Sequence, residues 1–251
     1  MTTFYNTLSS AVYNCDKAIG TSFGDVEFYL NRLAGIPGKI LEPAVGNGRL
    51  LIPLTETGFT VDGFDLSEAM LRHCRQNCHD RGLSPHLWQD SMTTFTSNER
   101  YEAIILPAGS FLLLPTHADG MEALRRFHRH LVPGGRLLMD LFLPDELMPG
   151  QESFRRFPVN NRETITLTST VRSVDFVRQS VASYNRYEKW VDGKLTETEL
   201  ERFPVRWIGI EEAKLMLKEA GFTDIRLFVD YQMDKQPEQA GEMLTFEAVA
   251  K

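Results

Sequence analysis

Residues 39–50, KILEPAVGNGRL, constrain the fold more than any other part of this chain. Their apolar run ends in the carboxylate of Glu42, and a turn of small residues follows, with Ala44, Gly46 and Gly48. An apolar helical pattern comes next. A strand, a tight loop and a helix in this order place a ligand at the carboxyl edge of a parallel sheet. The segment therefore predicts an α/β fold with a ligand site in this loop.

The charge of Glu42 indicates which ligand the loop binds. A dinucleotide site directs backbone N–H groups at a pyrophosphate, and an acid at the end of the strand would repel that group. A ligand that carries ammonium and sulfonium charges would be attracted instead. Glu42 therefore favours S-adenosylmethionine over NAD. The loop also lacks the third glycine of the dinucleotide fingerprint, because Leu51 stands at that position.

The pattern after the loop extends this unit into a doubly wound sheet. Five strand-then-helix alternations predict a parallel sheet with helices on both faces. The predicted strands are residues 39–41, 60–64, 84–89, 101–106 and 135–143, and the helices between them begin near Gly48, Ser67, Thr94 and Ala118. Residues 4–35 are predicted to be helical before the sheet. A helix over 210–220 and strands over 225–231 and 243–249 close the chain.

Residues 151–207 interrupt this alternation. They contain no helical stripe, and their alternating, β-branched and aromatic residues predict strands over 163–171, 175–190 and 194–207. The Asp192-Gly193 pair is a hairpin signal. We expect an antiparallel three-stranded insertion here, in a domain made of residues 1–150 and 208–251.

Composition limits the class of protein. The length of 251 residues and the hydrophobic content of 42% suit one large α/β domain, or one domain with a substantial insertion. The net charge of −7 argues against a nucleic-acid partner. Three cysteines, no signal-peptide pattern and no apolar run of roughly 18 residues predict a cytoplasmic protein without a membrane partner. No metal site is expected, because on a helix Cys74 and Cys78 share a face while His73 and His79 splay apart.

Five motifs resemble, in order and spacing, those of the class I S-adenosylmethionine-dependent methyltransferases. Residues 40–50 resemble motif I, and residues 61–71 resemble the second strand and its turn. Residues 89–92 resemble the adenine-side motif, residues 131–136 the turn before strand five, and residues 211–222 the late helix that ends in Ala-Gly-Phe. The resemblance implies a Rossmann-like, doubly wound, seven-stranded sheet whose last strand is antiparallel, with S-adenosylmethionine as methyl donor.

The residues of these motifs predict a cofactor site. We expect Gly46 and Gly48 to let the backbone approach the methionine portion of the cofactor, with Glu42 near its ammonium group. Asp65, at the end of the second strand, is expected to accept both ribose hydroxyls. Asp90 is expected to accept from the adenine amine. The structural alternatives are a turn or helix-capping role for each aspartate.

The remaining predicted cofactor-binding residues surround this set. We expect them to be Tyr13, Ala44, Leu66, Ser91, Met92 and Leu106. Leu66 and Met92 would pack on the adenine ring. Tyr13 resembles a residue that closes over the cofactor carboxylate, although its position favours a buried or surface tyrosine without that role. Ala44 replaces a motif glycine, which costs only a methyl group unless the residue needs a positive φ.

The motifs identify the methyl donor and leave the acceptor open. The resemblance implies methyl transfer to an N or O atom of a small molecule by in-line displacement, in which positioning supplies most of the rate. The alternatives are a non-catalytic S-adenosylmethionine-binding protein and, less favoured, an NAD(P)-dependent oxidoreductase. His117, Tyr184 and Tyr187 are candidate bases, and none is assigned. Residues 151–207 are expected to form a lid, a substrate contact or a dimer contact, in a monomer or homodimer.

Overall fold

The computed structural model describes residues 5–145 and 148–251. Two helices precede the main sheet, α1 (Thr7–Asp16) and α2 (Asp25–Leu33). The prediction of one helical stretch over residues 4–35 is therefore wrong in its middle, and residue 4 lies outside the described residues. The break contains Gly20 and Gly24, whose φ angles of 93° and 89° do not continue a helix.

Eleven strands and four further α-helices follow within the described residues. The strands are β1 (Ile40–Pro43), β2 (Val61–Asp65), β3 (Leu87–Gln89), β4 (Tyr101–Leu106), β5 (Leu131–Phe142), β6 (Glu152–Pro158), β7 (Glu163–Asp175), β8 (Ser180–Val191), β9 (Lys194–Arg206), β10 (Phe222–Val229) and β11 (Met243–Ala250). The helices are α3 (Leu51–Glu56), α4 (Glu68–His79), α5 (His117–His130) and α6 (Ile210–Glu219), and Ser110–Leu113 adds a 3₁₀ turn.

The main sheet has the strand order β10-β11-β5-β4-β1-β2-β3. The neighbouring strands in the sheet order β5-β4-β1-β2-β3 pair in parallel. Strand β11 is antiparallel to both β5 and β10. The predicted seven-stranded sheet with an antiparallel last strand is confirmed. Every residue of β1 and β2 is buried because helices cover both faces, which explains why their sequences lack alternation.

Two features between the strands depart from simple periodicity. The predicted helix near Thr94 is wrong, because this segment forms only a turn, in which the Phe95 amide donates to the Ser91 carbonyl at 2.9 Å. The predicted turn at residues 131–136 is instead an irregularity inside β5, whose pairing shifts between Leu131 and Arg136. By contrast, Ser67 caps α4 as predicted and accepts from the Met70 amide at 3.2 Å.

The insertion is a separate four-stranded antiparallel sheet in the order β6-β7-β8-β9, so the predicted count of three is wrong. The sequence of β6, ESFRRFP, carries charges and a proline without strand alternation, and its strand conformation depends on pairing with β7. The boundary predicted at residue 175 is also wrong. The β7–β8 turn lies at residues 176–179 and is stabilised by Asp175, which accepts from the Arg178 amide at 2.9 Å.

Helix α1 joins the two sheets. Leu8 and Val12 on α1 pack against Phe157 and Tyr187 of the insertion in one buried cluster. The carboxylate of Glu199 on β9 also accepts from the first-turn amides of Leu8 and Ser9, at 2.9 and 3.1 Å. An acid at a helix N-terminus satisfies unpaired N–H groups and complements the helix dipole. The insertion sheet therefore holds α1 in place beside the main sheet.

Among the residues that the structure describes, none of the helices is long and apolar enough to cross a membrane.

Candidate active site

The loop after β1 contains three residues in left-handed backbone conformation. Ala44, Gly46 and Gly48 have φ angles of 53°, 58° and 87°. A Cβ at Gly48 would lie 2.9 Å from the Cys74 sulfur, so this glycine permits close packing on α4. The nearest contact of a Cβ at Gly46 would be the Tyr13 ring, at 3.7 Å. Ala44 does need a positive φ, and an alanine there carries about 1 kcal/mol of strain.

Glu42 is the penultimate residue of β1 and lies beneath this loop. Its side chain is buried, and no described residue forms a hydrogen bond with its Oε2 atom. Burial raises the pKa of this carboxyl well above its usual value, although the nearby Arg49 guanidinium opposes the shift. A buried carboxylate oxygen without a hydrogen-bond partner is costly, and a cationic ligand group would compensate it.

Asp65 ends β2 and is 8% exposed. Its Oδ2 accepts from the Gly46 amide at 2.9 Å and its Oδ1 accepts from the Ser67 amide at 2.8 Å. Burial raises its pKa to about 6, although these backbone donors oppose the shift. Asp65 therefore also stabilises the backbone around it, which is the structural role that the sequence analysis named as the alternative. A carboxylate has about four acceptor positions, so capacity remains for the hydroxyls of a ligand.

Asp90 follows β3 and is joined to Asp65 through the backbone. The Asp90 amide donates to the Asp65 carbonyl at 3.1 Å. The Asp90 Oδ1 accepts from the Ser91 amide at 2.8 Å and from the Thr94 hydroxyl at 3.1 Å. One carboxylate oxygen therefore stabilises the turn that occupies the place of the predicted helix start near Thr94. The two acids stand side by side at the carboxyl edge of the sheet.

Most of the predicted cofactor-binding residues line one cavity of about 370 Å³. Those that line it are Tyr13, Ala44, Gly46, Asp65, Leu66, Asp90, Ser91 and Met92. Three predicted residues do not line it: Glu42 lies beneath the loop, Gly48 packs against α4, and Leu106 is wholly buried in the core. The structure thus brings together residues from the loops that follow β1, β2 and β3, with Asp65 at the end of β2.

A second cavity of about 610 Å³ adjoins the first. Tyr5, Tyr13, Ser110 and Leu113 line both cavities. The sequence analysis did not select Tyr5, whose ring lies edge-on to that of Tyr13 at a centroid distance of 5.4 Å. The backbone of Tyr5 is held from two sides. Its amide donates to Glu201 at 2.8 Å, and its carbonyl accepts from the Ser67 hydroxyl at 2.6 Å.

A buried ion pair forms part of the second cavity. The Arg49 guanidinium donates to both oxygens of Asp25, with one Nη1–Oδ1 distance of 3.0 Å. This arginine keeps the pKa of Asp25 below its usual value despite burial. Arg49 belongs to the predicted loop, and a charged residue at the start of an apolar helix is the signal that could have identified it.

The insertion contributes the last strand of the site. On β9, Arg202 and Pro204 line the smaller cavity, while Phe203 and Val205 line the larger one. This alternation follows from the two-residue period of a strand. One edge of the insertion sheet therefore forms a wall of both cavities.

None of the three candidate bases from the sequence lines either cavity. His117 is exposed at the start of α5. Tyr184 is 40% exposed on the insertion sheet. Tyr187 belongs to the apolar cluster around α1, and burial raises the pKa of its phenol.

The fold and this arrangement of acids define a class of protein. A parallel sheet with an antiparallel last strand, a buried acid below the glycine loop, and the carboxylates of Asp65 and Asp90 at one cavity are features of class I S-adenosylmethionine-dependent methyltransferases. Residues 40–135 match the family model described as a methyltransferase domain. The matched segment and the fold are accordingly similar to those of the class I S-adenosylmethionine-dependent methyltransferases, whose methyl donor is S-adenosylmethionine.

Individual relatives extend this similarity beyond residues 40–135. The putative methyltransferase YqeM of Bacillus subtilis (strain 168) is 29% identical over 220 residues, which cover 84% of this chain and 83% of that protein. A solved S-adenosylmethionine-dependent methyltransferase from Clostridium acetobutylicum ATCC 824 has a TM-score of 0.77 at 17% identity, with 96% of each chain covered. The S-adenosylmethionine-bound amino pentose methyltransferase CalS10 from Micromonospora echinaspora has a TM-score of 0.70 at 19% identity, with 100% of each chain covered.

Proposed function

We propose that this chain transfers the methyl group of S-adenosylmethionine to an N or O atom of a small molecule by in-line displacement. The observation that carries the proposal is the buried, unpartnered Oε2 of Glu42 beneath the glycine loop. The ammonium group of a methionine moiety would compensate this carboxylate, whereas a pyrophosphate would be repelled by it. The residues present therefore fit S-adenosylmethionine and disfavour NAD.

The smaller cavity supplies the other cofactor contacts. Asp65 retains acceptor capacity for ribose hydroxyls, and Asp90 with Met92 would contact the adenine. Tyr13 would close over the methionine end. When bound, the sulfonium supplies an activated methyl group that needs no protonation on departure. The chain's own residues contribute position, charge and exclusion of water, which supply large rate factors for such a displacement.

The larger cavity is the proposed acceptor site. Its volume of about 610 Å³ falls in the usual range for small-molecule sites. It meets the cofactor cavity at Tyr5, Tyr13, Ser110 and Leu113, so methyl transfer would occur along this shared wall. Likeness to an amino pentose methyltransferase favours an acceptor of similar size. Because β9 lines both cavities, residues 151–207 would form a lid that selects the acceptor.

Calorimetry tests the cofactor half of the proposal. S-adenosylmethionine and S-adenosylhomocysteine are expected to bind with 1:1 stoichiometry, and NAD is not. Glu42→Gln should weaken S-adenosylmethionine binding about 10- to 100-fold, the effect of losing one charged hydrogen bond. Glu197→Gln on the exposed surface of β9 is the matched control and should leave binding unchanged. Binding of NAD without either sulfur ligand would refute the proposal.

A second experiment separates an enzyme from a binding protein. S-adenosylhomocysteine release is followed with panels of amines, phenols and carboxylates. Release that depends on one of the panels supports the transferase. Tight S-adenosylmethionine binding with no release under any panel favours the non-catalytic alternative.

A further inference from the structure

Asp140 on β5 is a wholly buried carboxylate behind the wall of the larger cavity. Its Oδ1 accepts from the Tyr29 hydroxyl at 3.0 Å and from the Thr245 hydroxyl at 2.7 Å. Its Oδ2 accepts from the Ala108 amide and from the Tyr231 hydroxyl, both at 2.9 Å. Four donors fill the acceptor capacity of an ionised carboxylate. The site therefore holds Asp140 as an anion although burial opposes charge there.

Only one of these four hydrogen bonds can carry a proton to Asp140 from outside. The Ala108 amide cannot reverse its direction. Tyr29 and Thr245 are both 0% exposed, so no external proton reaches their hydroxyls. Tyr231, in contrast, is partly exposed and lines the larger cavity. Its phenol therefore connects the cavity to the buried acid.

The surroundings keep this phenol neutral. Burial and the nearby Asp140 and Asp25 raise the pKa of Tyr231 well above its usual value, although Arg49 opposes them. Tyr29 from α2 also faces Asp140, and its pKa is raised by burial. Neither tyrosine ionises under ordinary conditions, so Tyr231 can only relay a proton. Burial raises the pKa of Asp140 to about 6, which leaves the carboxylate ready to accept one at neutral pH.

We propose that Tyr231 is a catalytic residue that takes a proton from an amine acceptor and passes its own proton to Asp140. This inference rests on the proposed function and assigns its acceptor to the protonated primary or secondary amines. An N–H bond of the ammonium breaks as the phenol gains that proton, and the phenol O–H proton moves to Oδ2 of Asp140. The freed nitrogen lone pair then bonds to the methyl carbon as the C–S electron pair departs to sulfur.

Charge explains why the acceptor is an amine rather than a hydroxyl compound. Proton transfer from an ammonium to Asp140 removes two opposite charges from a buried site. Transfer from a neutral phenol or alcohol only exchanges one anion for another. Low dielectric favours the neutral pair. Deprotonation also removes a positive charge that would otherwise face the sulfonium. Asp140 acts through Tyr231 and is a positioning residue and proton store.

The acceptor class is tested with matched pairs of probes. Release of S-adenosylhomocysteine is measured with benzylamine, ethanolamine, glucosamine and sarcosine, each beside its hydroxyl counterpart. We expect turnover of amines only. Turnover of hydroxyl compounds alone would overturn the inference and leave the proposed function intact. No turnover of either group, with S-adenosylmethionine still bound, would count against both.

The relay is tested with two tyrosines that donate to the same carboxylate. Tyr231→Phe should lower kcat for the amines by at least about 100-fold, the usual contribution of a general base. Tyr29→Phe removes an equivalent hydrogen bond outside the proton route and should lower kcat far less. Equal losses in the two variants would reduce Tyr231 to a structural role and overturn the inference.

The pH profile gives a readout that a structural role would not change. Amine turnover should rise as pH passes through the Asp140 pKa of about 6, because only the carboxylate accepts the proton. Thr245→Val removes a hydrogen bond that lowers this pKa, so the rising limb should move to higher pH. A ¹³C titration of aspartate-labelled protein with bound S-adenosylhomocysteine should show the same shift. A limb that stays in place while the carboxyl titration moves would refute the relay.

Discussion

Glu42→Gln should have opposite effects on the stability of the ligand-free protein and on cofactor affinity. The substitution keeps the shape of the side chain and removes its charge. Glu42 is 2% exposed, and its Oε2 has no hydrogen-bond partner among the described residues. The charge therefore destabilises the ligand-free fold and contributes favourably only when a cation is bound.

The size of the stability effect follows from linkage. The pKa of Glu42 is raised in the folded chain, so the folded state binds its proton more tightly than the unfolded state does. The contribution of protonated Glu42 to the free energy of unfolding is fully present below the pKa of the unfolded state. This contribution is lost as the pH rises towards the pKa of the folded state. Each pH unit in that window costs about 1.4 kcal/mol. Glu42→Gln removes this loss, and the stabilisation of the variant should grow with pH above about 4.5.

The assay is urea unfolding of both proteins from pH 4.5 to 8, without and with S-adenosylmethionine. Asp65 and Asp140 also have raised pKa values, but they remain in both proteins and their contributions cancel in the difference to first order. Without ligand, the free energy of unfolding of the variant should increasingly exceed that of the wild-type protein as the pH rises. With ligand, the wild-type protein should gain more, because ligand stabilisation scales with the logarithm of its concentration over Kd. A variant that is less stable without ligand at neutral pH would refute this account of Glu42.

Three further perturbations test the remaining geometry. Asp65→Ala should weaken S-adenosylmethionine binding by about 1–3 kcal/mol in calorimetry, through lost charged hydrogen bonds, and unchanged affinity would remove this residue from the site. Gly48→Ala should lower the free energy of unfolding by about 1–3 kcal/mol, because its Cβ would meet the Cys74 sulfur at 2.9 Å. Gly46→Ala, whose Cβ has its nearest contact at 3.7 Å, should lower it by only about 1 kcal/mol. Equal losses in urea unfolding would contradict this difference. Glu199→Gln should cost about 1 kcal/mol and speed hydrogen exchange of the α1 amides, and unchanged exchange at Leu8 and Ser9 would show that this carboxylate does not hold the helix.

The sequence predicted those parts of the fold that local pattern determines. The order of β1, glycine loop and helix was visible because buried parallel strands are continuous apolar runs bounded by turn residues. The α4 cap at Ser67 was visible for the same local reason. Asp65 and Asp90 could be placed near one another because parallel strands end at a common edge of the sheet.

Features that depend on tertiary pairing were missed. Strand β6 has no strand pattern of its own, and its conformation follows from hydrogen bonding to β7. The turn after β3 resembled a helix start because Asp90 caps it as a helix N-cap would. Tyr5 and Tyr231 lie far apart in sequence and meet at one cavity only through the fold. No local period marks such residues, so the acceptor side of the site required the structure.

The most direct test of the central claim follows the methyl group itself. The protein is incubated with S-adenosylmethionine labelled in its methyl group and with the amine and hydroxyl probes, and the small-molecule fraction is separated and counted. The account predicts label in a methylated small molecule, in amounts equal to the S-adenosylhomocysteine formed. Firm binding of S-adenosylmethionine with no label in any probe would contradict it.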